Sequence, residues 1–140
     1  MAYWLLKTEP EEFSWDDQVK RGKKGETWSG VRNFKARSYL KEMKKGDKFF
    51  FYHTGDEKQV VGIGEVIKEA YADPTAKAGE AWVAVTTKSV EPFPKPVTLA
   101  AIKADKRFAE MPLVRLSRLS VSAVSPEHWK EICKLGGWRD

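Results

Sequence analysis

Four consecutive aromatic residues, Phe49-Phe50-Phe51-Tyr52, constrain the fold more than any other stretch of this chain. Side chains of a strand point alternately to its two faces, so this run is too apolar for an exposed edge. It predicts a buried strand over Lys48 to Thr54, ending in the polar pair His53-Thr54.

Around that strand the local signals alternate between short strands and short helices. Tyr3 to Thr8 reads as a first strand stopped at Glu9-Pro10, and Ser14 with Asp17 forms a capping-box pattern for a short helix ending near Gly22. Gly22-Lys23-Lys24-Gly25 reads as a flexible basic loop. Asn33 is placed to cap a second helix, in which Phe34, Leu40 and Met43 recur at roughly helical spacing before Gly46. Gly55 to Lys58 makes a hairpin connection into a strand from Gln59 to about Ala70, where Gly62 and Gly64 predict a sharp bend. Asp73-Pro74 ends it. Trp82 to Val90 is a further strand, and Glu91-Pro92-Phe93-Pro94-Lys95-Pro96 is expected to be a stiff connector unable to continue a ladder. Thr98 starts a short helix, Leu116 to Val124 gives a last strand, and Ser125-Pro126-Glu127 opens a terminal helix closed by Gly136. The sum is an α+β chain with a mixed, barrel-like sheet of about five or six strands and peripheral short helices.

The 140 residues can bury roughly 68% of their unfolded surface. Residues 1–140 are therefore expected to form a single domain. No apolar run approaches the ~20 residues of a membrane span, and Met1-Ala2-Tyr3-Trp4 does not read as a signal peptide. A cytoplasmic, monomeric protein without membrane contact is the expectation. Cys133 is the only cysteine, with His53 and His128 the only histidines, so no disulfide, metal site or cofactor is expected. The net charge of +5 is uneven: Lys20 to Lys48 holds 11 Lys or Arg against 3 acids, a local +8, leaving −3 elsewhere. That asymmetry fits a phosphate-bearing partner and competes with a solvated lysine-rich helix face.

Inside the basic stretch, Trp28-Ser29-Gly30-Val31-Arg32-Asn33 joins a large ring, a permissive backbone point, a guanidinium and an amide. This mixture suits a nucleobase-like ligand. Each residue has a structural alternative: Trp28 a core anchor, Gly30 a turn, Asn33 a helix cap, Arg32 a salt bridge to Glu9 or another carboxylate. Arg32 is the strongest contact candidate, because its short loop supplies no obvious structural partner. Lys7 and Glu9 interrupt the end of an apolar strand and are expected to pair or face a cleft, while Thr8 and the strand-end backbone offer hydrogen bonds to a base edge. His53 admits a catalytic reading with Ser117 or Ser120 as nucleophile, but no orienting acid stands at a characteristic spacing. Gly22 to Thr27 lacks the ending of a phosphate loop, and Gly62-Ile63-Gly64 lacks the third glycine of a dinucleotide fingerprint.

Four blocks in order, Tyr3 to Pro10, Trp28 to Asn33, Phe50 to Thr54 and Leu113 to Val121, resemble an EVE domain of the PUA-like superfamily, related to the YTH and ASCH domains. The resemblance implies a pseudo-barrel that reads nucleic acid, RNA or DNA, by accommodating a modified base in a pocket. The Lys7-Thr8 and Trp28-Ser29 pairs are similar to positions that build the methyladenine pocket of YTH readers. EVE domains of eukaryotes and restriction systems imply a modified cytosine extruded from DNA. This chain departs from them at Thr8, where Ser is usual, at Thr54 after His53, and in the short Asp73 to Glu80 connector. On this reading Trp28 stacks on the base, and Thr8, Ser29, Gly30, Val31 and Asn33 border its edge. Tyr52, His53 and Thr54 close a wall, Lys7, Glu9, Arg32 and Arg118 supply charge, and Lys23, Lys24, Lys35 and Arg37 meet the phosphates. Recognition without chemistry is the expectation, with a small enzyme using His53, or a small-ligand or protein-interaction module, as alternatives.

Overall fold

The computed structural model describes residues 1–139. Its strands are β1 (Tyr3–Thr8), β2 (Glu26–Trp28), β3 (Lys48–His53), β4 (Gln59–Ala72), β5 (Val83–Thr98) and β6 (Val121–Val124). Its α-helices are α1 (Trp15–Arg21), α2 (Phe34–Glu42), α3 (Leu99–Lys103), α4 (Pro112–Arg115) and α5 (Pro126–Gly136). The sheet runs β2-β5-β4-β3-β1-β6, with β1 parallel to β3 and every other pair antiparallel. Its edge strands β2 and β6 do not pair, so this mixed sheet is open, as a pseudo-barrel is.

The aromatic run lies in β3, between β4 and β1, and both faces of that region are covered. Trp4, Leu6, Phe49 and Phe51 point into one apolar layer with Trp15, Ala36, Leu40 and Met43, while Leu5, Phe50 and Tyr52 point into another with Ile102, Leu113, Trp129 and Ile132. Phe50 stacks on Trp129 at 4.1 Å between centroids, and Trp129 on Tyr3 at 4.4 Å. Burial of each such side chain contributes about 1.5–3 kcal/mol.

Short-range signals fix the helix starts as expected. Ser14 and Asp17 form a reciprocal capping box before α1, Asn33 Oδ1 accepts the Ala36 N–H at the start of α2, and Ser125 caps α5 ahead of Pro126. The bend expected in β4 is also present: its register against β5 shifts at Val60/Gly62 and again at Ile63/Gly64. The two glycines leave room for rings, since a Cβ at Gly62 would lie 2.7 Å from the Trp15 indole and one at Gly64 would enter the Phe49 ring.

Four expectations need correction. The proline-rich segment is no connector: β5 continues through it, pairing Pro92 with Gly62 and Val97 with Val60. Pro92, Pro94 and Pro96 lie beyond the reach of the short β2, in a stretch where the register against β4 shifts between Val60 and Gly62, an irregular edge that tolerates missing N–H donors. The last strand is only Val121–Val124, because Pro112–Arg115 forms α4 and Leu119 turns back to the Leu116 carbonyl. Gly22–Lys24 is a 3-10 turn. Phe34 does not join the apolar stripe of α2; it is 68% exposed. The Trp28 segment also contains an unexpected strand, β2, which holds Trp28 against Val85.

Candidate nucleic-acid interface

The ends of β1 and β2 and the loop after β2 enclose a cleft of about 350 Å³, which Lys7, Thr8, Glu9 and the run Trp28 to Arg32 all line. Small-ligand sites span ~300–1,000 Å³. Trp28 is at once core anchor and cleft wall: it is 93% buried, and Phe13, Phe49 and Phe51 meet its ring edge-on at 6.0, 6.0 and 5.5 Å.

The loop is held from below by one carboxylate that the sequence reading took only as a strand breaker. Asp73 Oδ2 accepts the Gly30 N–H at 2.8 Å and Arg32 Nη1 at 3.1 Å, and its Oδ1 accepts the Thr75 N–H and hydroxyl, each at 2.7 Å. Desolvation of the buried carboxyl pushes its pKa up, but the hydrogen bonds from Thr75, Gly30 and Arg32 outweigh it and hold it down at about 2. Gly30 sits at φ +82°, a conformation side chains disfavour, which aims its N–H at Asp73. Two expectations change. The Gly30 amide serves the loop itself, and Arg32 has a structural partner 41 residues away, with Arg32 Nη2 also donating to Thr75.

The end of β1 is likewise satisfied internally. The Lys7 N–H donates to the Ser120 carbonyl, the Thr8 carbonyl accepts the Thr54 N–H, and the Thr8 hydroxyl donates to the Phe13 carbonyl at 2.9 Å. Lys7 Nζ donates to the Ser117 carbonyl at 2.9 Å, and burial lowers its pKa. Glu9 accepts the Thr54 hydroxyl at 3.1 Å.

The remaining candidates do not converge on this cleft. Tyr52 and Thr54 line a separate hollow of about 250 Å³, which shares only Lys7 with the first, and desolvation raises the Tyr52 pKa. His53 lines neither: it is buried, its Nε2 accepts the Trp15 N–H at 3.0 Å, and its Nδ1–H donates to Glu57 at 2.8 Å. That pairing fixes its tautomer and holds down the Glu57 pKa, first through the hydrogen bond itself. Arg118 and Asn33 border a third, shallow depression of about 400 Å³ with Lys35, and the Asn33 side chain is spent capping α2. Arg37 donates to the Ala81 carbonyl and lies beside the Phe34 and Trp82 rings. Among the described residues, the exposed side chains of Lys23, Lys24, Lys35 and Arg118 hold no hydrogen bond or ion pair.

Sequence reasoning missed Glu12, Phe13, Glu26 and Thr27 of the cleft lining, and named Ser120 only as a candidate nucleophile. The first four flank recognised blocks in the chain, a proximity that was the available signal. Glu26 accepts Arg21 Nε at 3.1 Å, whereas the Glu12 carboxylate is uncommitted among the described residues.

An open mixed sheet, layered on both faces and carrying a polar, Trp-walled cleft at its strand ends, defines a small α+β protein with a cleft of ligand size. The EVE domain family model matches residues 2–135, and the chain belongs to that family. Human thymocyte nuclear protein 1 is 39% identical over 84 residues, 53% of this chain and 37% of that protein, so the match spans well under half of the relative. The NMR structure of Rpa0253 from Rhodopseudomonas palustris superposes with a TM-score of 0.91 at 50% identity, covering 98% of this chain and 94% of its own. A crystal structure of human THYN1 protein in complex with 5-methylcytosine-containing DNA superposes with a TM-score of 0.90 at 27% identity over 100% of both chains. Among the described residues no helix is long and apolar enough to cross a membrane, and no cluster of three or more His, Cys, Asp or Glu is arranged to hold a metal ion.

Proposed function

We propose that this protein reads modified cytosine in DNA, taking one extruded base into the cleft between β1 and β2 and acting by recognition without chemistry. The observation that carries the reading is the Trp28-walled, polar cleft in a fold that superposes along its whole length on a human relative held with 5-methylcytosine-containing DNA. Trp28 and Phe13 supply the aromatic wall, and Ser29 the adjacent hydroxyl. The uncommitted Glu12 carboxylate supplies what a cytosine demands, an acceptor for its exocyclic amine. Lys7 adds a cation at the rim. Lys23, Lys24, Lys35 and Arg118 are free to meet phosphates, which makes affinity fall steeply with salt. Residues 1–140 act as one monomeric unit inside the cell. The catalytic alternative loses support because both ring nitrogens of His53 are occupied by Trp15 and Glu57.

The test is a titration of labelled oligonucleotides carrying one 5-methylcytosine, cytosine, thymine or 6-methyladenine, as DNA and as RNA, at several salt concentrations. Preferential binding of the 5-methylcytosine DNA, lost when Ser29→Trp fills the cleft, is the expected result. Equal affinity for all four bases would overturn it.

A further inference from the structure

Phe34 is an exposed ring on a surface otherwise rich in charge. It follows the cap of α2 directly, 68% exposed, and stacks on Trp82 with centroids 5.3 Å apart and planes 22° from parallel. The Arg37 guanidinium, one helical turn along, lies 4.9 Å from the Phe34 centroid and 5.3 Å from the Trp82 centroid. These three separations make a nearly equilateral triangle. Arg37 therefore sits against the shared edge of the stacked pair and leaves the outer face of Phe34 open. Arg32 lies 5.5 Å from the Trp82 centroid and also lines the cleft, so one side chain spans from the platform to the cleft.

Phe34 packs into neither apolar layer; with Trp82 it forms a small exposed aromatic patch rimmed by cations. Its surroundings select the occupant. Lys35 is exposed and unpaired among the described residues, Arg37 flanks the stack, and the Lys20 to Lys48 stretch carries a local charge of +8. A flat apolar face with cations at its margin matches a nucleobase and its flanking phosphates, the arrangement by which single strands are held without regard to sequence.

We propose that Phe34 and Trp82 form a second stacking platform, which takes a base neighbouring the one in the cleft on the open face of Phe34. Arg37 and Lys35 hold the adjoining phosphates. The inference rests on the nucleic-acid reading above and adds a contact outside the cleft. It makes binding depend on a strand and not on a single nucleotide.

The experiment compares the parent protein with Phe34→Ala, Phe34→Tyr and Ser29→Trp against two probes: 5-methyl-2′-deoxycytidine monophosphate, and a labelled 12-nucleotide DNA strand with one central 5-methylcytosine. Loss of one stacked base predicts that Phe34→Ala weakens binding of the strand by about five- to 150-fold, leaves the mononucleotide unchanged, and is rescued by Phe34→Tyr. Strand affinity unchanged in Phe34→Ala, while the parent binds, would overturn the platform and leave the cleft reading standing. A parent that binds neither probe would overturn both.

Discussion

The Arg32 guanidinium meets the buried Asp73 carboxylate at 3.1 Å, on the same oxygen that receives the Gly30 N–H. One acid from the β4–β5 connection thus shapes the loop that walls the cleft. Asp73→Ala takes the shared acceptor away from the Gly30 amide and both Thr75 donors, which lie on exposed residues that water can reach. Arg32 is partly exposed, so water recovers a share of that loss. A destabilisation of about 1–3 kcal/mol is expected in urea unfolding, with weakened oligonucleotide binding even where the variant stays folded. Full binding by a folded Asp73→Ala would show that the loop needs no anchor.

The same carboxylate sets an acid limit on stability. Its folded pKa of about 2 lies below the ordinary 3.8, so it favours the folded state above about pH 4, and that contribution drains away as pH falls from 4 towards 2. Glu57, also lowered by its hydrogen bond to His53, adds to the loss below its ordinary 4.5. In Asp73→Asn the first contribution is absent at every pH. The stability gap between parent and Asp73→Asn, read as urea midpoints, should therefore narrow between pH 4 and pH 2. A gap that stays constant over that range would exclude Asp73 as the titrating group.

Much of the scaffold was legible because its signals are local. The limits of β1, the Ser14–Asp17 capping box, the Asn33 cap and the Ser125-Pro126 start of α5 each depend on residues a few positions apart. What stayed hidden depends on partners distant in the chain. Three alternating prolines read as a strand breaker until β2 is seen to stop short of them and the β4–β5 register to shift beside them. Arg32 looked free because Asp73 lies 41 residues on. His53 looked available for a ligand because neither Trp15 nor Glu57 marks it in sequence. Trp28 to Arg32 line one cleft, while Asn33 borders a second depression and Tyr52 and Thr54 a third hollow. Composite sites are assembled by topology, and local pattern names only their pieces.

His53 illustrates a residue whose substitution separates structure from recognition. Its Nε2 accepts the first N–H of α1, a donor the helix itself cannot satisfy, and its Nδ1–H holds Glu57. His53→Ala leaves the buried Trp15 N–H without its acceptor and releases the exposed Glu57, and should cost about 1–3 kcal/mol in unfolding experiments. Binding of 5-methylcytosine DNA by the folded fraction should remain near the parent value, since His53 lines no part of the cleft. Selective loss of binding without loss of stability would return His53 to the site.

Glu12 offers the sharpest test of the proposed base recognition. Thymine and 5-methylcytosine share the 5-methyl group and a pyrimidine ring, so an aromatic wall such as Trp28 barely distinguishes them. They differ at position 4, where cytosine donates from an amine and thymine presents an acceptor oxygen. Of the three carboxylates lining the cleft, Glu9 is engaged by Thr54 and Glu26 by Arg21, leaving Glu12 as the acceptor without an internal partner among the described residues. One good base-edge contact discriminates by about 1–3 kcal/mol, so Glu12→Ala should reduce the preference for 5-methylcytosine over thymine by roughly five- to 150-fold. Because Glu12 is exposed, the substitution should leave the thermal midpoint within about 2 °C of the parent. Competition between oligonucleotides differing only in that base measures the effect, and an undiminished preference would assign amine recognition to another group of the cleft.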